Sequence, residues 1–137
     1  MGDGDFYALS DDQLKRLLAG ALDHAQFLQG GGSEKPRENF AQAKGVWYEL
    51  SQVLQAEGGC GAEQTTAIPQ MAGYSFADKV KATADQLAKL PEAELRARCD
   101  SALMEAPVDQ VLEAVRALTA FFQRAAANGD AILFRVA

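Results

Sequence analysis

The chain has 137 residues, which suits one compact domain and leaves little room for two. With 48% apolar and 23% charged residues it is no disordered polar tail. Lys and Arg number 13 against 19 for Asp and Glu, a net charge of −6; nucleic acids and anionic membranes draw their affinity from cations, so this balance disfavours both and favours a basic protein surface as partner.

Area scaling gives a folded surface near ~7,000 Å² against ~21,000 Å² extended, so a core forms without metal or disulfide support. We expect one domain over residues 1–137, with flexible loops near 30–36 and 58–72. The first residues carry acid where a signal peptide needs a basic flank, and no window approaches the ~20 apolar residues of a membrane span. The chain therefore reads as cytoplasmic.

Residues 4–9 (GDFYAL) have the aromatic and aliphatic content of a short strand. Ser10 follows as a helix N-cap, with Asp11, Asp12 and Gln13 in the first turn, where acids favour the helix dipole. Leu14, Leu17 and Leu18 give that helix one apolar face. Gly20 divides it from a second piece, ALDHAQFLQ, whose Leu22, Phe27 and Leu28 need a core. The glycines at 30–32 and the following SEKPRE form a loop.

The spacing of Phe40, Ala43, Trp47, Leu50 and Leu54 predicts a third helix from about Arg37 to Ala56, with Trp47 in the core. Gly45 inside it permits close approach of a neighbouring element. Gly58 and Gly59 stop the helix, and EGGCGAEQTTAIPQMAGY reads as the longest irregular segment, with Cys60 exposed. Ser75 and Asp78 resemble a capping box before a helix whose buried side is Phe76, Val80, Ala84, Leu87 and Leu90. Pro91 ends that helix and starts another, with Leu95 and Cys99 inward. The clearest helix begins near Pro107; Val108, Leu112, Val115, Leu118, Phe122 and Ala125 form its stripe, and Asn128-Gly129 stops it. AILFRV at 131–136 is a final strand. A lone terminal strand leaves its ladder groups unpaired, so the N-terminal run is its partner. The fold class is α+β: a helical domain with a small sheet pairing the N- and C-terminal strands.

No residue pattern carries catalysis. His24 is the one histidine, and it has no Cys-x-x-Cys, His-Glu-x-x-His or Gly-x-Ser-x-Gly context. GGGSEK and GGCG lack phosphate-loop spacing. Glu49, Glu57, Glu63, Glu92, Glu94, Asp100 and Glu105 offer no spacing that singles out an acid–base pair. The chain is expected to be no enzyme, with no catalytic residue, cofactor or metal. Cys60 and Cys99 need no disulfide. Tyr48 and Glu49 flank Trp47 on a more exposed side, and Glu57 and Glu63 stand at the mouth of the glycine-rich loop. An aromatic ring beside carboxylates grips basic protein surfaces, so these four are the expected partner-binding residues.

The chain also resembles the YfbM-like family of small bacterial proteins of unknown function. FYALSDDQLKRLL is similar to that family's strand leading into a Ser-capped helix. Lys44, Trp47, Leu50 and Leu54 match its Lys-x-x-Trp-His-x-Leu-His-x-x-Leu helix, while Tyr48 and Ser51 stand where the family has histidines. Gly73-Tyr74, the LAKLPEAELRARCDSALM stretch and the closing FFQRAAANGDAILFRVA resemble its later segments. The resemblance implies the family's fold and no mechanism. Some small acidic bacterial proteins serve as immunity proteins beside secreted toxins. By that analogy and the charge, the expected function is a small acidic protein-binding module, in its most specific form an immunity protein that occludes a toxin's active site. The alternatives are an enzyme or small-ligand binder with a carboxylate-lined pocket, and a generic structural partner-binding protein.

Overall fold

The computed structural model describes residues 4–29, 34–40, 46–66, 71–101 and 106–136. The glycines at 30–32, the match at Lys44, the Ala43 and Gly45 positions and Glu105 lie outside the described residues.

The chain opens with β1 (Gly4–Leu9) and α1 (Asp11–Leu18). Ser10 caps α1 as its sequence predicts: its Oγ accepts from the Gln13 amide at 3.1 Å, and its own amide donates to Gln13 Oε1 at 3.0 Å. Gly20, at φ 77°, turns the chain toward α2 (His24–Gln29). Asp23 Oδ1 accepts the Ala25 and Gln26 amides there. Next come β2 (Glu38–Phe40), α3 (Trp47–Val53), β3 (Glu63–Thr65), β4 (Met71–Ser75), α4 (Ala77–Lys89), α5 (Glu92–Ser101), α6 (Val108–Asn128) and β5 (Ala131–Val136).

The expected pairing of the chain ends is present: β1 and β5 run antiparallel from Gly4↔Val136 to Leu9↔Ala131. They form the centre of a larger antiparallel sheet, ordered β2-β1-β5-β4-β3. Side chains alternate across a strand, and here each face meets its own core. Phe6, Ala8, Ile132 and Phe134 enter the core built with α3, α4, α5 and α6. Tyr7, Leu9, Ala131 and Leu133 enter a second core with Leu14, Leu17, Phe27 and Leu28 of α1 and α2. The sheet is thus sandwiched between two helical layers.

Three expectations fail. The helix expected from Arg37 to Ala56 does not start at Arg37, because residues 38–40 pair with β1 through Phe6↔Phe40, and within that span α3 is the helix among the described residues. Phe40 still reaches the core, but from an edge strand, with its ring 6.0 Å from Phe6 and 5.6 Å from Phe121. Within the segment read as irregular, residues 63–65 pair as β3 with β4, which begins there at Met71 and ends one residue beyond it. The Ser75–Asp78 capping box is absent: Ser75 is buried on β4 and its Oγ accepts from the Ala62 amide at 2.9 Å. The α4 N-terminus is served instead by Asp11 Oδ1, which accepts from the Ala77 amide at 2.9 Å. By contrast, α6 ends as expected at Gly129, in the left-handed region at φ 70°.

The β3–β4 pair depends on glycine. A Cβ at Gly73 would stand 2.5 Å from the Cys60 carbonyl oxygen, and Gly61, at φ 104°, crosses directly over the Gly73–Tyr74 peptide. Gly73→Ala should lower stability by about 1–3 kcal/mol through this backbone clash, measured by denaturant melts. An unchanged midpoint would show that the 58–61 turn does not lie on β4.

Asp130, beside the Gly129 turn, supplies a test with a definite sign. Its carboxylate is buried, with Arg37 Nε 2.8 Å from Oδ2. Burial lifts its pKa above the ordinary value of 3.8, against the pull of Arg37. A carboxyl raised in the folded state favours folding fully below its unfolded pKa, and that contribution is lost as pH rises through the folded value. Between about pH 4 and about pH 7 the stability difference should therefore move in favour of Asp130→Asn relative to the parent chain, as followed by urea melts across that range. Movement the other way would mean that the Arg37 attraction outweighs burial.

Candidate functional site

A groove of about 360 Å³ lies between α3, the turn that follows it and the β3–β4 pair. Trp47 and Phe134 form its floor, their ring centroids 6.3 Å apart. Trp47 opens α3 and packs over the end of β1, where a Cβ on Gly4 would come within 2.5 Å of the Trp47 Cβ. Trp47 is half-buried, not wholly in the core as its place on the apolar stripe suggests. Tyr48 stands at the rim, 48% exposed, its ring at 86° to that of Trp47 with centroids 6.0 Å apart.

The remaining walls are polar without charge. Ser51 and Gln52 descend from α3, Gln55 follows from the turn after it, Gln64 faces them from β3, and the backbone of residues 58–61 closes one end. Ser51 Oγ donates to the Tyr48 carbonyl at 2.6 Å. Cys60, expected to be exposed, is half-buried in this wall, and burial pushes its thiol up to about 12. It is therefore protonated at neutral pH and a poor nucleophile. No charged side chain lines the groove among the described residues.

The four expected partner-binding residues do not converge. Tyr48 lies on the groove. Glu49 is buried, contrary to its expected exposure. It stands one helical turn before Val53, on the inward side of α3, whereas Tyr48, Ser51 and Gln52 share the outward side. Glu57 is tied down by Arg98, with Nη1–Oε1 at 2.6 Å and Nη2–Oε2 at 3.0 Å. Arg98 Nη1 also donates to the Val53 carbonyl at 2.9 Å, and Thr83 Oγ1 donates to the Glu57 carbonyl at 3.0 Å. Glu57 thus fastens the turn after α3 to α4 and α5. Glu63 is exposed, but its register opposite Tyr74 puts it on the sheet face away from the groove; Gln64, opposite Gly73, takes the groove face.

Sequence reasoning missed Gln52, Gln55 and Gln64 as site residues and assigned Trp47 to the scaffold. The spacing of Tyr48, Ser51, Gln52 and Gln55 is that of a polar helical stripe headed by an aromatic ring, and it was the available signal. Tyr48 and Ser51, the positions that depart from histidine in the resembled helix, both line the groove.

Other acids are held by internal partners. Arg16 bridges Asp12 and Glu34, Arg124 meets Glu38, and Glu92 meets Arg96 and Arg116. A smaller cavity of about 290 Å³ between α4, α5 and α6 holds Glu92 beside Arg116, and two shallow ones hold Glu94 and Glu113. Each of these three holds a single carboxylate among the described residues, so none presents the carboxylate-lined pocket of the alternative reading. His24 is half-buried at the start of α2. No group of three or more His, Cys, Asp or Glu side chains is placed to hold a metal among the described residues. No helix among them is long and apolar enough to cross a membrane.

The Glu57–Arg98 pair is largely shielded, so its coupling should exceed that of an exposed pair. A double-mutant cycle of Glu57→Gln and Arg98→Met, followed by denaturant melts, should give about 1–3 kcal/mol. Coupling below about 0.5 kcal/mol would leave Glu57 available to a partner.

A family model described as a domain of unknown function, DUF1877, matches residues 1–135. Among solved structures, the chain is similar to YfbM from Escherichia coli, itself described as a protein of unknown function. The two share 12% identity with a TM-score of 0.61, over 98% of this chain and 99% of that one. At this identity the likeness speaks for the fold alone. No curated protein matches.

Proposed function

The chain belongs to the DUF1877 family, whose description assigns no activity, and we propose from its groove that it is a binding protein that recognises its partner beside Tyr48. The observation that carries this reading is Tyr48 itself, a large ring left 48% exposed on a helix whose inward side is locked into the core. Tyr and Trp dominate binding energetics because they bring large area at little conformational cost. The lining also favours binding over catalysis: its thiol is protonated, and among the described residues it presents neither carboxylate nor imidazole.

In its most specific form the partner is a basic protein, and the chain is a cytoplasmic immunity protein that covers the active site of a bacterial toxin. The net charge of −6 favours this reading. The charge need not lie in the groove, because the summed field of exposed acids such as Glu63, Asp78, Asp100 and Glu113 steers a cationic partner from a distance. Tyr48 then supplies the short-range anchor.

If the immunity reading holds, Tyr48→Ala should weaken binding of the cognate toxin domain by about tenfold or more, mainly through faster dissociation. Stability should stay within about 0.5 kcal/mol, because the side chain is exposed. Added salt should slow association of the parent chain. Surface plasmon resonance with a melting control reads all three. Unchanged affinity rejects the groove as the contact, and failure to bind or neutralise any neighbouring gene product removes the immunity reading.

A further inference from the structure

We infer that the groove between α3 and β4 is a saccharide site, taking a neutral, hydroxyl-rich ring between Trp47, Tyr48 and the facing glutamines. This rests on the binding reading and names the chemistry of its occupant.

Three features of the groove select that chemistry. The first is charge. The described lining consists of rings, side-chain amides, a hydroxyl, a protonated thiol and small residues, all neutral. A charged ligand would lose its hydration without a compensating partner, whereas a neutral one bears no such cost. The second is the arrangement of the rings. Trp47 and Tyr48 stand at 86° to one another, so they form a corner and not the parallel slot that would sandwich a flat heterocycle. A puckered sugar ring fits a corner. The weakly positive C–H groups of one face lie on the negative face of one aromatic ring, and its edge meets the other.

The third is hydrogen bonding. Gln52 and Gln55 on one side and Gln64 on the other carry exposed amides that both donate and accept. Sugar hydroxyls do the same, so each amide can satisfy one without any fixed protonation state. A lipid chain would instead leave these amides covered and unpaired. The volume of about 360 Å³ lies at the small end of the ~300–1,000 Å³ typical of ligand pockets, which suits a mono- or disaccharide.

Trp47 is the single tryptophan of the chain, so its emission reports the groove alone. The full chain is titrated with glucose, N-acetylglucosamine, maltose, cellobiose and chitobiose, and in parallel with adenine and N-acetyl-leucine amide, neutral probes that carry no sugar. At least one of the five saccharides should change Trp47 emission saturably at or below about 10 mM. Tyr48→Ala should abolish that change, and Gln52→Ala and Gln64→Ala should each weaken it by about tenfold, the cost of one lost hydrogen bond in a polar site. Because these side chains are exposed, melting curves should overlay that of the parent chain. If no saccharide acts but adenine, the amide or a toxin domain does, the saccharide inference is overturned while the binding reading stands. If none of them perturbs Trp47, both fall. A saccharide response that survives Tyr48→Ala, Gln52→Ala and Gln64→Ala together also overturns the inference, because the ligand then binds elsewhere.

Discussion

The antiparallel ladder between β1 and β5 is the constraint on which the rest of the molecule hangs. These two strands come from opposite ends of the chain, and each has an apolar side chain on both faces: Phe6 and Phe134 on one, Tyr7 and Leu133 on the other. A two-faced apolar strand cannot be an edge exposed to water, so both strands take the centre and need cover above and below. Helices α1 and α2 cover one face. The long α6, with α3, α4 and α5, covers the other. The order of the sheet follows, because β2 and β4 are then left to pair with the outer sides of the central strands.

The groove is a consequence of this arrangement. Phe134 points from β5 toward the α3 layer, and α3 is too short to cover its whole surface. Trp47 fills most of the gap, seated against Phe134 and over a strand end that only Gly4 leaves open. On the other side, Gly61 and Gly73 let the turn after α3 press onto β4, which sets Cys60 and Gln64 opposite the helix. The site is therefore built where two close backbone approaches leave a helix and a strand pair apart. Its shape comes from glycine and its chemistry from α3.

Much of the helical scaffold was legible because its signals are local. Ser10 followed by Gln13, Gly20, Pro91, the stripe from Val108 to Ala125 and the Asn128-Gly129 stop each act over a few residues, and the structure keeps them. The terminal strand pair was legible for a different reason: two short apolar runs had no other way to satisfy their backbone. What escaped was set by contacts distant in sequence. Phe40 has helical spacing to Trp47, yet its place is fixed by Phe6 and Phe121, which hold it in an edge strand. A three-residue strand such as Glu63–Thr65 carries no periodicity of its own and exists because Gly73 allows β4 to pass beneath the turn. For the same reason the roles of Glu49, Glu57 and Glu63 could not be read: burial, a guanidinium 41 residues away and strand register decide them.

Those three carboxylates also show how charge is distributed between folding and recognition. An acidic composition suggests a surface that binds through its acids, but here many of the acids close distances within the chain. Glu57 joins the α3 turn to α5, Glu38 joins β2 to α6, and Asp11 serves the start of α4. The groove, in contrast, has a neutral lining. On the proposed reading, net charge would act on a partner through the long-range field, which governs how fast oppositely charged molecules meet and is screened by salt. Short-range selection would then fall to rings and amides, whose contacts are indifferent to ionic strength. A surface built this way separates encounter from retention, so two chains of this family could share one groove chemistry and differ widely in net charge.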